Sequence, residues 1–259
     1  MTTPIRLAIV AAMPEELNAL IEVLTNPVAC TIGGREFWQG RLDGVEVVAV
    51  LSGIGKVAAS ITTALLADHF QAQALLFTGV AGGLGDGVKV GDVIIATDLV
   101  QHDMDASPLF PRHEIPGRGR SHMPADAALS AIVVAAAHTA LSPQALGSGG
   151  ALADVHLAEL GLSQPALHEG LVLSGDRFVS SHAESQALRQ SFPLALAVEM
   201  EGAAVAQVCH DFGLPFAVVR VISDRADQTA HVDFLRFVAE IAQRYSLAMV
   251  RAAVATLHV

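Results

Sequence analysis

The sequence predicts an α/β fold with a largely buried sheet, and three observations carry that prediction. Apolar runs of strand length alternate with longer alanine-rich segments along the chain. Glycine clusters fall where two of those runs end. With 259 residues, 52% hydrophobic, 5% aromatic and 16% charged, the chain holds enough apolar material for one large core, and a single domain over residues 1–259 is expected.

Residues 7–12 form the first apolar run, and Pro14-Glu15-Glu16 after it suits the start of a helix over 15–24. Residues 36–39 and 45–51 flank Leu42-Asp43-Gly44, a hairpin with Asp-Gly in the turn. Ser52-Gly53-Ile54-Gly55-Lys56 follows that strand and opens a helix over 56–69. Strand 74–78 runs into Thr78-Gly79-Val80-Ala81-Gly82-Gly83, read as a turn. Both glycine clusters let backbone amides approach a ligand, and neither is a Walker loop or a dinucleotide fingerprint.

Strand 92–96 comes next, then an irregular excursion over 107–124 with four prolines. A helix over 125–139 and a loop at Gly147-Ser148-Gly149-Gly150 follow. The last part reads as strands 171–174, 195–198 and 216–222 with helices over 202–212 and 232–257.

Net charge of -11 and a pI near 5.3 argue against nucleic acid or an anionic membrane as partner, since both need a basic face. A small-molecule substrate fits better. Mean hydropathy is +0.49, yet no run approaches the roughly 20 apolar residues of a membrane span. The apolar run near Leu7 is too short for an export signal. Two distant cysteines, Cys30 and Cys209, without metal spacing, fit reduced thiols in a cytoplasmic protein.

Two segments stand out for chemistry. Leu196-Ala197-Val198-Glu199-Met200-Glu201-Gly202 and Val218-Val219-Arg220-Val221-Ile222-Ser223-Asp224 each read as an apolar strand delivering a carboxylate at its end, where open α/β sheets hold ligands. Glu201 suits a sugar-binding carboxylate and Asp224 a general acid. Together they are equipment for breaking a bond between a ribose and a base. His102-Asp103-Met104-Asp105 and the pair Asp227 and His231 fall short of a metal ligand set, so no metal and no cofactor are expected.

Ala12-Met13-Pro14-Glu15-Glu16, Ser52-Gly53-Ile54-Gly55-Lys56, Thr78-Gly79-Val80-Ala81-Gly82-Gly83, Lys89-Val90-Gly91-Asp92, Ser174-Gly175-Asp176-Arg177-Phe178, Val198-Glu199-Met200-Glu201 and Ser223-Asp224 occur in this order over nearly the whole chain. In that set and order the chain resembles the 5'-methylthioadenosine/S-adenosylhomocysteine nucleosidases of the nucleoside phosphorylase superfamily. The stretch between His122 and Gly170 is longer than in compact members.

The resemblance implies a three-layer α/β/α sandwich with a central mixed sheet, a cofactor-free homodimer, and hydrolysis of adenosine thioethers to adenine and a thioribose. Asp224 corresponds to the acid that protonates purine N7, Glu16 to the base that activates water, and Arg220 to the arginine that helps hold that water. Glu201 corresponds to the ribose carboxylate, with Met200 packed on the sugar and Glu199 in support. Phe178 would stack on adenine, with Val179 and Ser223 at the purine. Met13, Ile54 and Phe234 would line the 5' pocket, and the backbone of Val80, Ala81 and Gly82 would lie near the ligand. Val80 stands where some nucleosidases carry a serine. The segment Ala106-Ser107-Pro108-Leu109-Phe110 would reach the partner's site. The alternatives are a phosphorolytic purine nucleoside phosphorylase and a non-catalytic nucleoside-binding protein.

Overall fold

The computed structural model describes residues 7–147, 150, 152, 153, 155, 162, 164–226, 237 and 241–257. The chain opens with β1 (Leu7–Ala11) and α1 (Pro14–Glu22), then β2 (Thr25–Ile32), β3 (Arg35–Leu42), β4 (Val45–Leu51), α2 (Lys56–Asp68), β5 (Leu75–Gly83) and β6 (Val93–Gln101). It continues through β7 (His122–Pro124), α3 (Ala127–Ala140), the short α4 (Pro143–Leu146), β8 (Leu167–Ser174), α5 (His182–Ser191), β9 (Ala195–Glu199), α6 (Gly202–Phe212), β10 (Phe216–Asp224) and α7 (Gln243–Leu257).

Among the described residues the ten strands belong to one mixed sheet between helical layers, as expected. β1 explains the layering. Leu7, Ile9 and Ala11 pack on one face with residues of α1, α3 and α7, while Ala8 and Val10 pack on the other with residues of α2 and α6. Both faces are covered, so the strand is apolar throughout. β10 has the same alternation up to Ile222, with Arg220 buried among apolar neighbours and Ser223 and Asp224 at its end.

Half of the sheet closes on itself. β5 pairs with β10, β10 with β6, β6 with β8, β8 with β9, and β9 with β5 again. β1, β4, β3 and β2 extend outward from β5. The Asp43-Gly44 turn between β3 and β4 has positive φ at both residues, 47° and 89°, which is the geometry that Asp-Gly favours.

Three readings need correction. The Gly79–Gly83 stretch is strand, not turn: β5 runs to Gly83 because it pairs with β10 on one side and β9 on the other. The excursion over 107–124 ends in β7, which pairs with β6. Helix α3 begins at Ala127, not 125, because the Asp126 carboxylate accepts the Leu129 amide at 2.8 Å as its N-cap. Of the helix expected over 232–257, Gln243–Leu257 is helical among the described residues.

Candidate active site

Six chain segments meet at one end of the sheet and line a single cavity of about 380 Å³. Met13 and Glu16 come from the start of α1, Ile54 from the turn after β4, and Gly79, Val80, Ala81 and Gly82 from β5. Arg177, Phe178 and Val179 precede α5; Glu199, Met200 and Glu201 join β9 to α6; Arg220, Ser223 and Asp224 end β10. Every site residue singled out in the sequence lies here except Phe234, which is outside the described residues, as are Asp227 and His231.

Two glycines of β5 make room for the charged groups. A Cβ on Gly79 would sit 3.1 Å from Arg220 Nη1 and 3.2 Å from Glu16 Oε1, and one on Gly82 would sit 3.0 Å from Asp224 Oδ1. Glycine inside a strand often marks such a close approach.

Glu16 has a dual position. It lies in the first turn of α1, where its Oε2 accepts the Ala12 and Met13 amides at 3.1 and 3.0 Å, while Oε1 is buried beside Arg220. Burial pushes its carboxyl up to about 7, against the nearby Arg220 guanidinium and the backbone amides that favour the charged form.

Glu201 is the N-cap residue of α6, and its Oε1 accepts the Gly55 amide at 2.8 Å. Burial and the neighbouring Glu199 push it up to about 8; Arg220 and the Gly55 amide oppose that rise. Asp224 ends β10. Its Oδ1 accepts the Ala226 amide at 2.8 Å and its Oδ2 accepts the Ser223 hydroxyl at 2.8 Å. Phe178 is half-exposed at the cavity, Val179 is buried, and Val80 presents an apolar side chain.

Glu199 carries more than the supporting place expected of it. Its Oε2 accepts Arg220 Nη2 at 2.7 Å, the Glu201 amide at 3.1 Å and the Gly202 amide at 2.8 Å, while Ser174 Oγ donates to Oε1. Arg220 also donates to the Val219 carbonyl at 3.0 Å and lies 4.0 Å over the Phe77 ring. One sequence signal pointed this way: a glutamate and an arginine on two buried strands have to find each other.

His102-Asp103-Met104-Asp105 is used differently from a metal cluster, since Asp103 pairs with Lys56 at 2.6 Å. No group of three or more His, Cys, Asp or Glu suited to a metal occurs among the described residues. No helix among them is long and apolar enough to cross a membrane.

A mixed sheet at one end of which four buried carboxylates, Glu16, Glu199, Glu201 and Asp224, and an arginine gather around one cavity suits a nucleoside-cleaving class of enzyme. The chain belongs to the phosphorylase superfamily, whose model matches residues 6–255. Solved structures narrow the kinship to nucleosidases. The chain is 35% identical to the 5'-methylthioadenosine/S-adenosylhomocysteine nucleosidase of Neisseria meningitidis, solved with methylthio-immucillin-A, over 97% of this chain and 99% of that one, with a TM-score of 0.84. Against the Streptococcus pneumoniae nucleosidase with a transition-state inhibitor the values are 36%, 97%, 99% and 0.81. It is also 32% identical to the futalosine hydrolase of Helicobacter pylori, over 98% of each chain, with a TM-score of 0.82.

Proposed function

We propose that this protein hydrolyses the N-glycosidic bond of 5'-methylthioadenosine and S-adenosylhomocysteine, releasing adenine and the 5-thioribose product. The observation that carries the reading is the meeting of Glu16, Glu201 and Asp224 on one cavity, in a chain 35% identical to a nucleosidase that binds methylthio-immucillin-A.

Cleavage passes through a sugar with oxocarbenium character, so the site must protonate the base, hold the ribose and deliver water. Asp224 donates a proton to purine N7 as the bond to C1' breaks, and the bonding electrons leave with adenine. Water adds at C1' and gives its proton to Glu16, whose carboxyl near 7 is matched to a base at neutral pH. Arg220 lies close enough to favour the charged form of Glu16 and to help orient the water. Glu201 accepts the ribose hydroxyls, and Met200 packs against the sugar.

Phe178 stacks on the purine, the Val179 main chain reads its edge, and Ser223 orients Asp224. Met13, Ile54 and Phe234 take the 5' thioether, which needs no polar partner. Val80, Ala81 and Gly82 offer backbone beside the ligand. We read the chain as one domain acting as a cytoplasmic homodimer without a cofactor. The segment from residue 106 to 110, where Leu109 is 83% exposed, is the contact offered to the partner's site.

The test is adenine release in phosphate-free buffer. Hydrolysis yields a free reducing sugar and does not accelerate when phosphate is added. A phosphorylase instead needs donors for a buried anion, and Phe77 and Val80 supply none. A strict phosphate requirement with a sugar 1-phosphate as product would replace this reading with phosphorolysis.

A further inference from the structure

Helix α2 begins at Lys56, and its N-cap residue, Gly55, has φ of 96° and no side chain with which to cap the helix. Its first amides donate instead to carboxylates from remote parts of the chain. Gly55 N–H donates to Glu201 Oε1 at 2.8 Å, and Lys56 N–H to Asp176 Oδ1 at 2.8 Å. A helix N-terminus welcomes anions, but two carboxylates held there repel each other and a lysine in that turn opposes the dipole. Lys56 resolves the conflict. Its Nζ lies 2.6 Å from Asp103 Oδ1 and 3.9 Å from Asp176 Oδ2, and the Asp176 amide donates to Asp103 Oδ2 at 2.9 Å.

The result is a closed circuit joining the start of α2, the loop after β6 and the loop after β8. None of Lys56, Asp103 and Asp176 lines the cavity. We propose that Lys56 is a positioning residue: it clasps Asp103 and Asp176 over the start of α2, fixing the Gly55 amide on Glu201 and the Phe178 segment at the cavity mouth. The inference rests on the proposed ribose and purine contacts and assigns what holds them in place.

Burial and electrostatics agree with that role. The Lys56 side chain is 16% exposed and that of Asp103 32%, so their pairing is partly shielded from the solvent that weakens open surface pairs. Burial pushes Asp103 upward, yet the Lys56 ammonium and the Asp176 amide outweigh it and hold the carboxyl below its usual value. A Cβ on Gly55 would lie 3.1 Å from Asp176 Oδ1, so the turn admits no larger residue without displacing that acid. The charged groups around Glu201 are Glu199, Arg220 and Glu16, and the Gly55 amide adds its partial positive charge. Loosening that amide removes one of two influences that favour ionised Glu201.

Lys56→Gln is therefore expected to raise KM for 5'-methylthioadenosine about tenfold while changing kcat less, the loss of one hydrogen bond to a charged acceptor. The acidic limb of kcat/KM moves to higher pH, and Lys56→Arg restores most of both. Asp103→Asn makes the same test should Lys56→Gln fail to fold. Amide hydrogen exchange on the ligand-free protein reads the clasp without turnover: the Gly55 and Lys56 amides exchange faster in Lys56→Gln and in Asp176→Ala. Unchanged exchange together with unchanged KM and pH profile in the folded variants overturns the proposal. If the wild-type protein releases no adenine while those amides still respond, the clasp stands and the nucleosidase reading falls.

Discussion

Arg220 crosses β5 over Gly79 to reach Glu199: its Nη2 lies 2.7 Å from Glu199 Oε2, and both side chains are almost fully buried. The pair joins β9 and β10, which flank the end of β5, and Glu199 passes the contact on to the Glu201 and Gly202 amides. Breaking a buried pair strands its partner's charge, at a cost of about 3–5 kcal/mol. Glu199→Ala should lower the chemical-denaturation midpoint accordingly. The Glu199→Leu/Arg220→Leu double variant should be more stable than Glu199→Ala alone, and a double variant no more stable than the single would refute the pairing.

Asp224→Asn keeps an oxygen for the Ala226 amide, so the fold should persist. Without a proton to donate to N7, kcat is expected to fall by on the order of 10²-fold or more. Steady-state adenine release beside a circular dichroism spectrum checks both halves, and near-normal turnover removes Asp224 from the role of acid.

Glu201→Gln and Phe178→Ala should fail in different ways. The first weakens the ribose contact and cripples turnover. The second removes a stacking face and weakens purine binding by about 1 kcal/mol or more, seen mainly in KM. Identical wild-type kinetics in both folded variants would dismantle the pocket assignment.

Burial raises the Glu16 carboxyl from 4.5 to about 7, so the native state holds a proton that the unfolded chain has released. The sign is therefore opposite to that of a paired surface acid. Stability is greatest below about pH 4.5 as far as this group is concerned, falls as pH rises from there through 7, and loses roughly 3 kcal/mol across that window. Glu16→Gln should flatten the decline in melting temperature between pH 5 and pH 8. In the active enzyme the same ionisation should contribute to the acidic limb of kcat/KM, together with that of Glu201, which burial and Glu199 raise to about 8.

Strands buried on both faces were legible because they leave continuous apolar runs: β1, β4, β9 and β10 start where those runs do. β2 left no such run. Most of its residues are exposed, and it holds its place at the sheet edge by pairing with β3. α5 was silent for a related reason, since Ser185 is its one fully buried residue and its pattern is polar. The glycines of β5 misled because a strand needing close approach by Arg220, Glu16 and Asp224 uses the same residue as a turn. Glu201 and Asp224 were readable from their strand ends, whereas Glu16, in the first turn of α1, came only through the order of motifs. The clasp at Lys56 was not readable, because Asp103 and Asp176 lie far from it in sequence and only the fold brings them to one helix end.

The closed half of the sheet also divides the molecule into regions of unequal tolerance. No strand of that ring has a free side, so a register slip in β10 or β9 would break ladders on both flanks and separate Asp224 from Glu201. The outlying hairpin of β2 and β3 contributes no residue to the candidate active-site cavity, and its Gly33-Gly34 turn has open space around Gly34. New chain ends or a grafted tag belong at that turn, where the chain can be rerouted without disturbing the proposed catalytic groups.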